Sequence, residues 1–161
     1  MAPVVPRDRP VPCWQTPPQG VVKISFNGSV FESRSELGVD VIARDEVGDS
    51  LAWHMRNFKF PADPSFAESL AAKEALKLVI QEGWRNVILE GDFQTVINRM
   101  ASIEDNSLIG PATEDIQHLV RSIPHCIVEY IPREVNSLDH KLARRAVWNE
   151  DGINHFSYFL M

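Results

Sequence analysis

The chain has 161 residues, 44% apolar and 24% charged, with a net charge of −6. That is the size of one domain with room for a tail, and the apolar share excludes a wholly disordered chain. No uncharged apolar run reaches the roughly 18 residues of a membrane-spanning helix, and an acidic surface has no general attraction for a phosphate backbone.

Residues 1–20 carry six of the eleven prolines. Proline removes backbone donors and favours extended chain, so 1–20 reads as a flexible lead-in. A folded domain is expected over 21–147, and 148–161 form an apolar tail, with His155, Phe156, Tyr158, Phe159 and Leu160 near its end. The default for such a tail is packing on the domain; a homodimer or protein-partner contact is the sharper alternative.

The domain opens with Val22-Lys23-Ile24-Ser25-Phe26-Asn27, whose alternation is that of a half-buried strand. Asn27-Gly28 is expected to end it as a turn. A second strand runs near Gly38–Arg44 and a third near Ser50–Met55, joined through Asp45-Glu46-Val47-Gly48 as an antiparallel meander. Ser65–Glu82 is helical and Gly83 stops it. Val87-Ile88-Leu89 is a short continuous apolar strand, as expected when both faces are covered. Helices follow from Asp92 to about Met100 and from Gly110-Pro111 to about Ser122, then a strand over Ile127–Ile131 and a last helix over Asn136–Val147. The order βββαβααβα predicts an α/β fold: a five-stranded mixed sheet, three strands antiparallel and two parallel, flanked by helices.

Several polar residues fit their surroundings poorly. At roughly 100° per residue, Ala67, Ala71, Ala72, Ala75, Leu76, Leu78 and Val79 share a broad apolar helix face, and Glu68 falls in its middle. A carboxylate there needs a cation, a metal or hydrogen bonds. Ser65-x-x-Glu68 is also a capping box, the reading this helix favours on its own. Asp92 ends a buried strand, where ligand groups collect in open α/β sheets, and could equally cap the next helix. Asn27 closes a strand, with the turn as its simplest explanation. Asn136 looks like the N-cap of the last helix, Asp139 suits that helix start electrostatically, and His140 shares a face with Ala143 and Val147. Asn27, Glu68, Asp92 and His140 can thus meet at one end of the sheet.

The two cysteines, Cys13 and Cys126, make neither a disulfide framework nor a CxxC pair. A reduced intracellular setting is expected, nucleus or cytoplasm rather than organelle. The five histidines lack paired zinc spacing, and no apolar leader opens the chain.

Five linked motifs carry a resemblance. They are Trp14-x-x-Pro17-Pro18-x-Gly20-x-Val22-Lys23-Ile24-x-Phe26-Asn27-Gly28; Gly38 with Ala43-Arg44-Asp45-Glu46-x-Gly48; Ala67-Glu68-x-x-Ala71-x-x-Glu74-Ala75-Leu76; Val87-x-Leu89-Glu90-x-Asp92; and Pro132-Arg133-Glu134-x-Asn136 followed by Leu142-Ala143. In order and spacing the chain resembles the ribonuclease H-like domains common in plant genomes, many related to retroelement reverse transcriptases. The resemblance implies the ribonuclease H fold. In active members it implies four carboxylates that hold two divalent ions, Mg²⁺ or Mn²⁺, for phosphodiester hydrolysis in RNA/DNA hybrids. Glu68 and Asp92 match the second and third carboxylates and are the expected metal ligands. The first position is Asn27. The fourth falls on His140, with Asp139 one residue early.

Two of the four carboxylates are therefore replaced. Asparagine keeps an oxygen but loses its charge, and histidine suits manganese better than magnesium. The expected function is a nucleic-acid-binding or protein-interacting domain with a degenerate two-metal site and no obligatory cofactor. The alternative is an active ribonuclease H using Mg²⁺ or Mn²⁺ through Glu68 and Asp92, supported by Asn27 and His140 or Asp139. RNA or an RNA/DNA hybrid would meet a small basic patch, Arg133, Lys141, Arg144 and Arg145, and bind weakly.

Overall fold

A computed structural model of the chain describes residues 13–61, 63–101, 111–137 and 139–141. β1 (Val22–Phe31), β2 (Glu36–Arg44) and β3 (Ser50–Lys59) form the meander, followed by α1 (Pro64–Glu82), β4 (Asn86–Gly91), α2 (Gln94–Ala101), α3 (Pro111–Ser122) and β5 (His125–Tyr130). Residues 133–137 and 139–141 are helical. The five strands make one sheet in the order β3-β2-β1-β4-β5. β1 runs antiparallel to β2 and parallel to β4, and β4 runs parallel to β5. This is the mixed sheet and element order expected.

Four local expectations are corrected. Asn27-Gly28 is not a turn: β1 runs through it, Asn27 pairing with Asp40 and Gly28 with Val39. The reversal comes later, at the short 3₁₀ segment Glu32–Arg34, where Ser35 takes a left-handed φ of 46°. Ladder pairing with β2 outweighs the turn preference of an Asn-Gly pair. β3 also extends past Met55, because β2 still offers a partner as far as Glu36, opposite Lys59. Ser65 does not cap α1. Asp63 does, accepting from the amides of Ser65 and Phe66 at 3.0 and 3.2 Å, with Pro64 in the first turn where its missing N–H costs nothing. Glu68 is thereby released from a capping role. Asn136 is no cap either, since the helical segment already starts at 133 and its amide donates to the Pro132 carbonyl.

The core lies between α1 and the sheet. Ala67, Ala71, Ala72, Ala75 and Leu76 of α1 are fully buried, as are Ile24, Phe26, Val41 and Leu89 of the strands. The run of small alanines lets the helix lie close on β1. Gly83 ends α1 in a left-handed conformation, as expected. Among the described residues, no helix is long and apolar enough to cross a membrane.

The described part of the lead-in lies against the sheet. The Lys23 ammonium and the Arg44 guanidinium lie over the Trp14 ring, each 5.3 Å from its centroid, and the Gln15 carbonyl accepts from Lys23 Nζ at 2.8 Å. Residues 1–12, Arg144, Arg145, the remainder of the last expected helix and the tail 148–161 lie outside the described residues.

Candidate functional site

Glu68 and Asp92 come together although 24 residues separate them in the chain. Two glycines permit it. A Cβ on Gly28 would stand 2.5 Å from the Ala67 carbonyl carbon and 2.6 Å from the Glu68 nitrogen, so only glycine lets β1 cross the first turns of α1 there. The Gly28 backbone then hydrogen-bonds the Glu68 carboxylate. A Cβ on Gly91 would stand 2.7 Å from the Phe26 ring, so the last residue of β4 must also be small for Asp92 to follow it over the core.

Glu68 is 2% exposed. Burial, and next the nearby Asp92 charge, push its carboxyl up to about 8, while the Gly28 hydrogen bond and the Arg133 charge pull the other way. Asp92 Oδ2 accepts from Asn136 Nδ2 at 3.1 Å, and Asn136 also donates to the Phe26 carbonyl at 3.0 Å. Glu68 Oε2 and Asp92 Oδ1, both buried, have no hydrogen-bond partner among the described residues.

Asn27, Glu68, Phe93, Arg133 and Ser137 line one pocket of about 340 Å³ at the end of β1 and the start of α1. Arg133 is exposed at its wall. The sequence-selected Asn27, Glu68 and Arg133 thus share a cavity, with Asp92 close enough to act on Glu68.

His140 and Asp139 each have one contact away from this pair, while Asp139 Oδ2 and His140 Nε2 have no hydrogen-bond partner among the described residues. Asp139 Oδ1 accepts from Arg44 Nη2 at 2.8 Å. His140 Nδ1 is 3.5 Å from Asp40 Oδ2, and the other Asp40 oxygen accepts from Trp53 Nε1 at 2.9 Å. Asp40 stands across from Asn27 on β2, so His140 approaches the sheet face beside Asn27. Next to this group, Lys23 Nζ meets Glu90 Oε1 at 2.8 Å. Burial raises the Glu90 carboxyl and Asp139 adds to the rise, while Lys23 lowers it. Lys141 is exposed.

These residues do not fit a two-metal centre. Position 27 brings no charge, Asp139 gives one oxygen to Arg44 and keeps only Oδ2 unpartnered, and His140, a nitrogen ligand where a carboxylate is needed, faces Asp40 through Nδ1. Among the described residues, no three His, Cys, Asp or Glu side chains are grouped to hold a metal ion. What remains is Glu68 with a guanidinium at the same pocket, and Asp92 near enough for its charge to act on Glu68. Such a site can hold a proton or one cation, or accept an anion at the arginine.

Sequence reasoning missed the bridging role of Asn136 and the buried group around Asp40. The signal for Asp40 was present: a lone aspartate inside Leu37-Gly38-Val39-Asp40-Val41-Ile42, which a buried strand tolerates only with partners.

The geometry accords with known structures. RNase H1 from Halobacterium salinarum NRC-1 superposes with a TM-score of 0.63 at 20% identity, over 73% of this chain and 89% of that one. LC11-RNase H1, solved in complex with an RNA/DNA hybrid and known from compost metagenomics, gives a TM-score of 0.61 at 20% identity, over the same shares of 73% and 89%. The foamy viral protease-reverse transcriptase, also in complex with an RNA/DNA hybrid, gives 0.62 at 14% identity, over 76% of this chain and 19% of that one. At these identities the likeness shows the fold. No curated protein matches the chain. Residues 25–146 match the family described as reverse transcriptase-like, and the chain belongs to that family as a ribonuclease H-like domain.

Proposed function

We propose that this domain binds RNA or an RNA/DNA hybrid and does not hydrolyse it efficiently. One observation carries the reading. Of the four positions that hold two metals in active relatives, only Glu68 and Asp92 are carboxylates near one another. Asn27 is neutral, and the fourth position is tied to the Asp40 and Arg44 group. Two-metal hydrolysis needs both ions placed to stabilise the attacking and leaving oxygens, and two of the carboxylate positions that would hold the second ion are Asn27 and His140. Binding needs only the shaped end of the sheet and a local positive group. Two of the similar structures, LC11-RNase H1 and the foamy viral enzyme, hold RNA/DNA hybrids.

The test is an equilibrium titration of a fluorescent hybrid at 50 and 200 mM salt. With about three phosphates contacted, the affinity should fall roughly 40-fold across that range. No binding at 50 mM would refute the reading.

A second reading is favoured by the unpartnered, buried Glu68 Oε2 and Asp92 Oδ1. In it Glu68 and Asp92 together hold a single Mg²⁺ or Mn²⁺, and the domain keeps a residual, metal-dependent ribonuclease activity. Cleavage that needs Asp92 separates this reading from the first.

A further inference from the structure

A site built for two divalent ions is strongly anionic until they bind, and an empty one repels a phosphodiester. The pocket here has a different charge balance. Glu68 and Arg133 line it with formal charges that cancel. Asn27 contributes an uncharged amide where an aspartate would add a negative charge. Asp139 is neutralised by Arg44 at 2.8 Å. Asp92 has one oxygen turned to Asn136. A family site with four carboxylates carries about four negative charges. Here there are three, Glu68, Asp92 and Asp139, and the arginines Arg133 and Arg44 stand against two of them.

The cation at the pocket is also available. Arg133 is exposed, and among the described residues no ion pair occupies its guanidinium, although its charge reaches Glu68. A guanidinium offers paired N–H donors whose spacing matches two oxygens of a phosphate. Asn27 and Ser137, which line the same pocket, add neutral donors that need no counter-ion. A cavity of about 340 Å³ falls within the size range of small-ligand pockets.

We propose that this pocket holds a phosphodiester of the nucleic-acid backbone directly, through Arg133 with Asn27 and Ser137, and that no metal ion mediates the contact. The proposal rests on the nucleic-acid-binding reading and narrows it, because it fixes which group is bound and what binds it.

The experiment titrates a fluorescent RNA/DNA hybrid with the full chain and with Arg133→Ala, Arg133→Lys and Glu68→Gln. Each titration is run once in EDTA and once in Mn²⁺, with thermal melts as folding controls. Wild-type affinity should agree within about twofold between EDTA and Mn²⁺. Arg133→Ala should weaken binding about tenfold in both conditions while leaving the melt unchanged, since the side chain is exposed. Arg133→Lys should fall between the two, because an ammonium supplies charge without the paired donors. Glu68→Gln should bind within about twofold of wild type at pH 7, where the Glu68 carboxyl already keeps its proton. Binding that vanishes in EDTA, returns in Mn²⁺ and is lost in Glu68→Gln would overturn the proposal and leave the nucleic-acid reading standing. Unchanged affinity in Arg133→Ala would do the same. A wild-type chain that binds no hybrid in either condition would overturn both.

Discussion

Asn136 donates its side-chain amide to Asp92 at 3.1 Å, and through the same nitrogen holds the Phe26 carbonyl at 3.0 Å. One fully buried side chain thus ties the last helical segment to β1 and to the residue that ends β4. Removing it strands a backbone acceptor and a carboxylate oxygen together. Asn136→Ala should cost about 3 kcal/mol in urea unfolding. Asn136→Asp should cost at least as much at neutral pH, where it sets a second carboxylate against Asp92, and should recover part of the loss in acid. A cost under about 0.5 kcal/mol for Asn136→Ala would show that the bridge is not a structural tie.

Glu68 gives stability a definite pH dependence. Its carboxyl lies near 4.5 in the unfolded chain and about 8 in the folded one. Between those values the folded state keeps a proton that the unfolded state has released, so stability falls as pH rises from 4.5 towards 8. Glu68→Gln removes this slope. It should match wild type near pH 4.5 and exceed it at pH 9 by on the order of 4 kcal/mol. Glu90 is raised as well and adds a slope of the same sign, which persists in the variant. Urea midpoints from pH 5 to 9 read the difference, and parallel curves would contradict the assignment.

Gly28 controls how close β1 and α1 can come. Gly28→Ala places a methyl against backbone atoms of Ala67 and Glu68, which cannot turn aside, and should cost about 3 kcal/mol. Gly91→Ala meets the Phe26 ring instead and should cost less, because a ring can tilt. Denaturant midpoints of the two variants give the ranking, and the reverse order would contradict it.

The Arg44–Asp139 pair fastens the last helical segment to the meander. Both side chains are largely shielded from water, so removing either leaves the other charge without its partner. Arg44→Ala and Asp139→Ala should each cost about 2–3 kcal/mol, and the double variant clearly less than their sum. Additive losses in the double-mutant cycle would mean that the pair carries no coupling.

Local pattern made some of this site legible and long-range contact hid the rest. The helical period already turned Glu68 inward, and the apolar strand before Asp92 placed it at a strand end. Asn27-Gly28 carried a strong local turn signal. It was overridden by the ladder to β2 and by an approach to Ala67, 39 residues further on, which no local window can register. Asn136 resembled a cap because its partners, Phe26 and Asp92, lie 110 and 44 residues away. His140 was legible as inward-facing, but Asp40 as the group it meets was not. That contact depends on how the last segment crosses the sheet, which packing decides.

The most direct measurement of the central claim is single-turnover cleavage of a labelled RNA/DNA hybrid held at saturating protein. It is run in Mn²⁺ and in Mg²⁺, with wild type beside Asp92→Asn. The account predicts that wild type binds the hybrid and leaves it intact, at the same background rate as Asp92→Asn in both metals. Cleavage by wild type well above the Asp92→Asn rate would contradict it and establish the metal-dependent ribonuclease in its place.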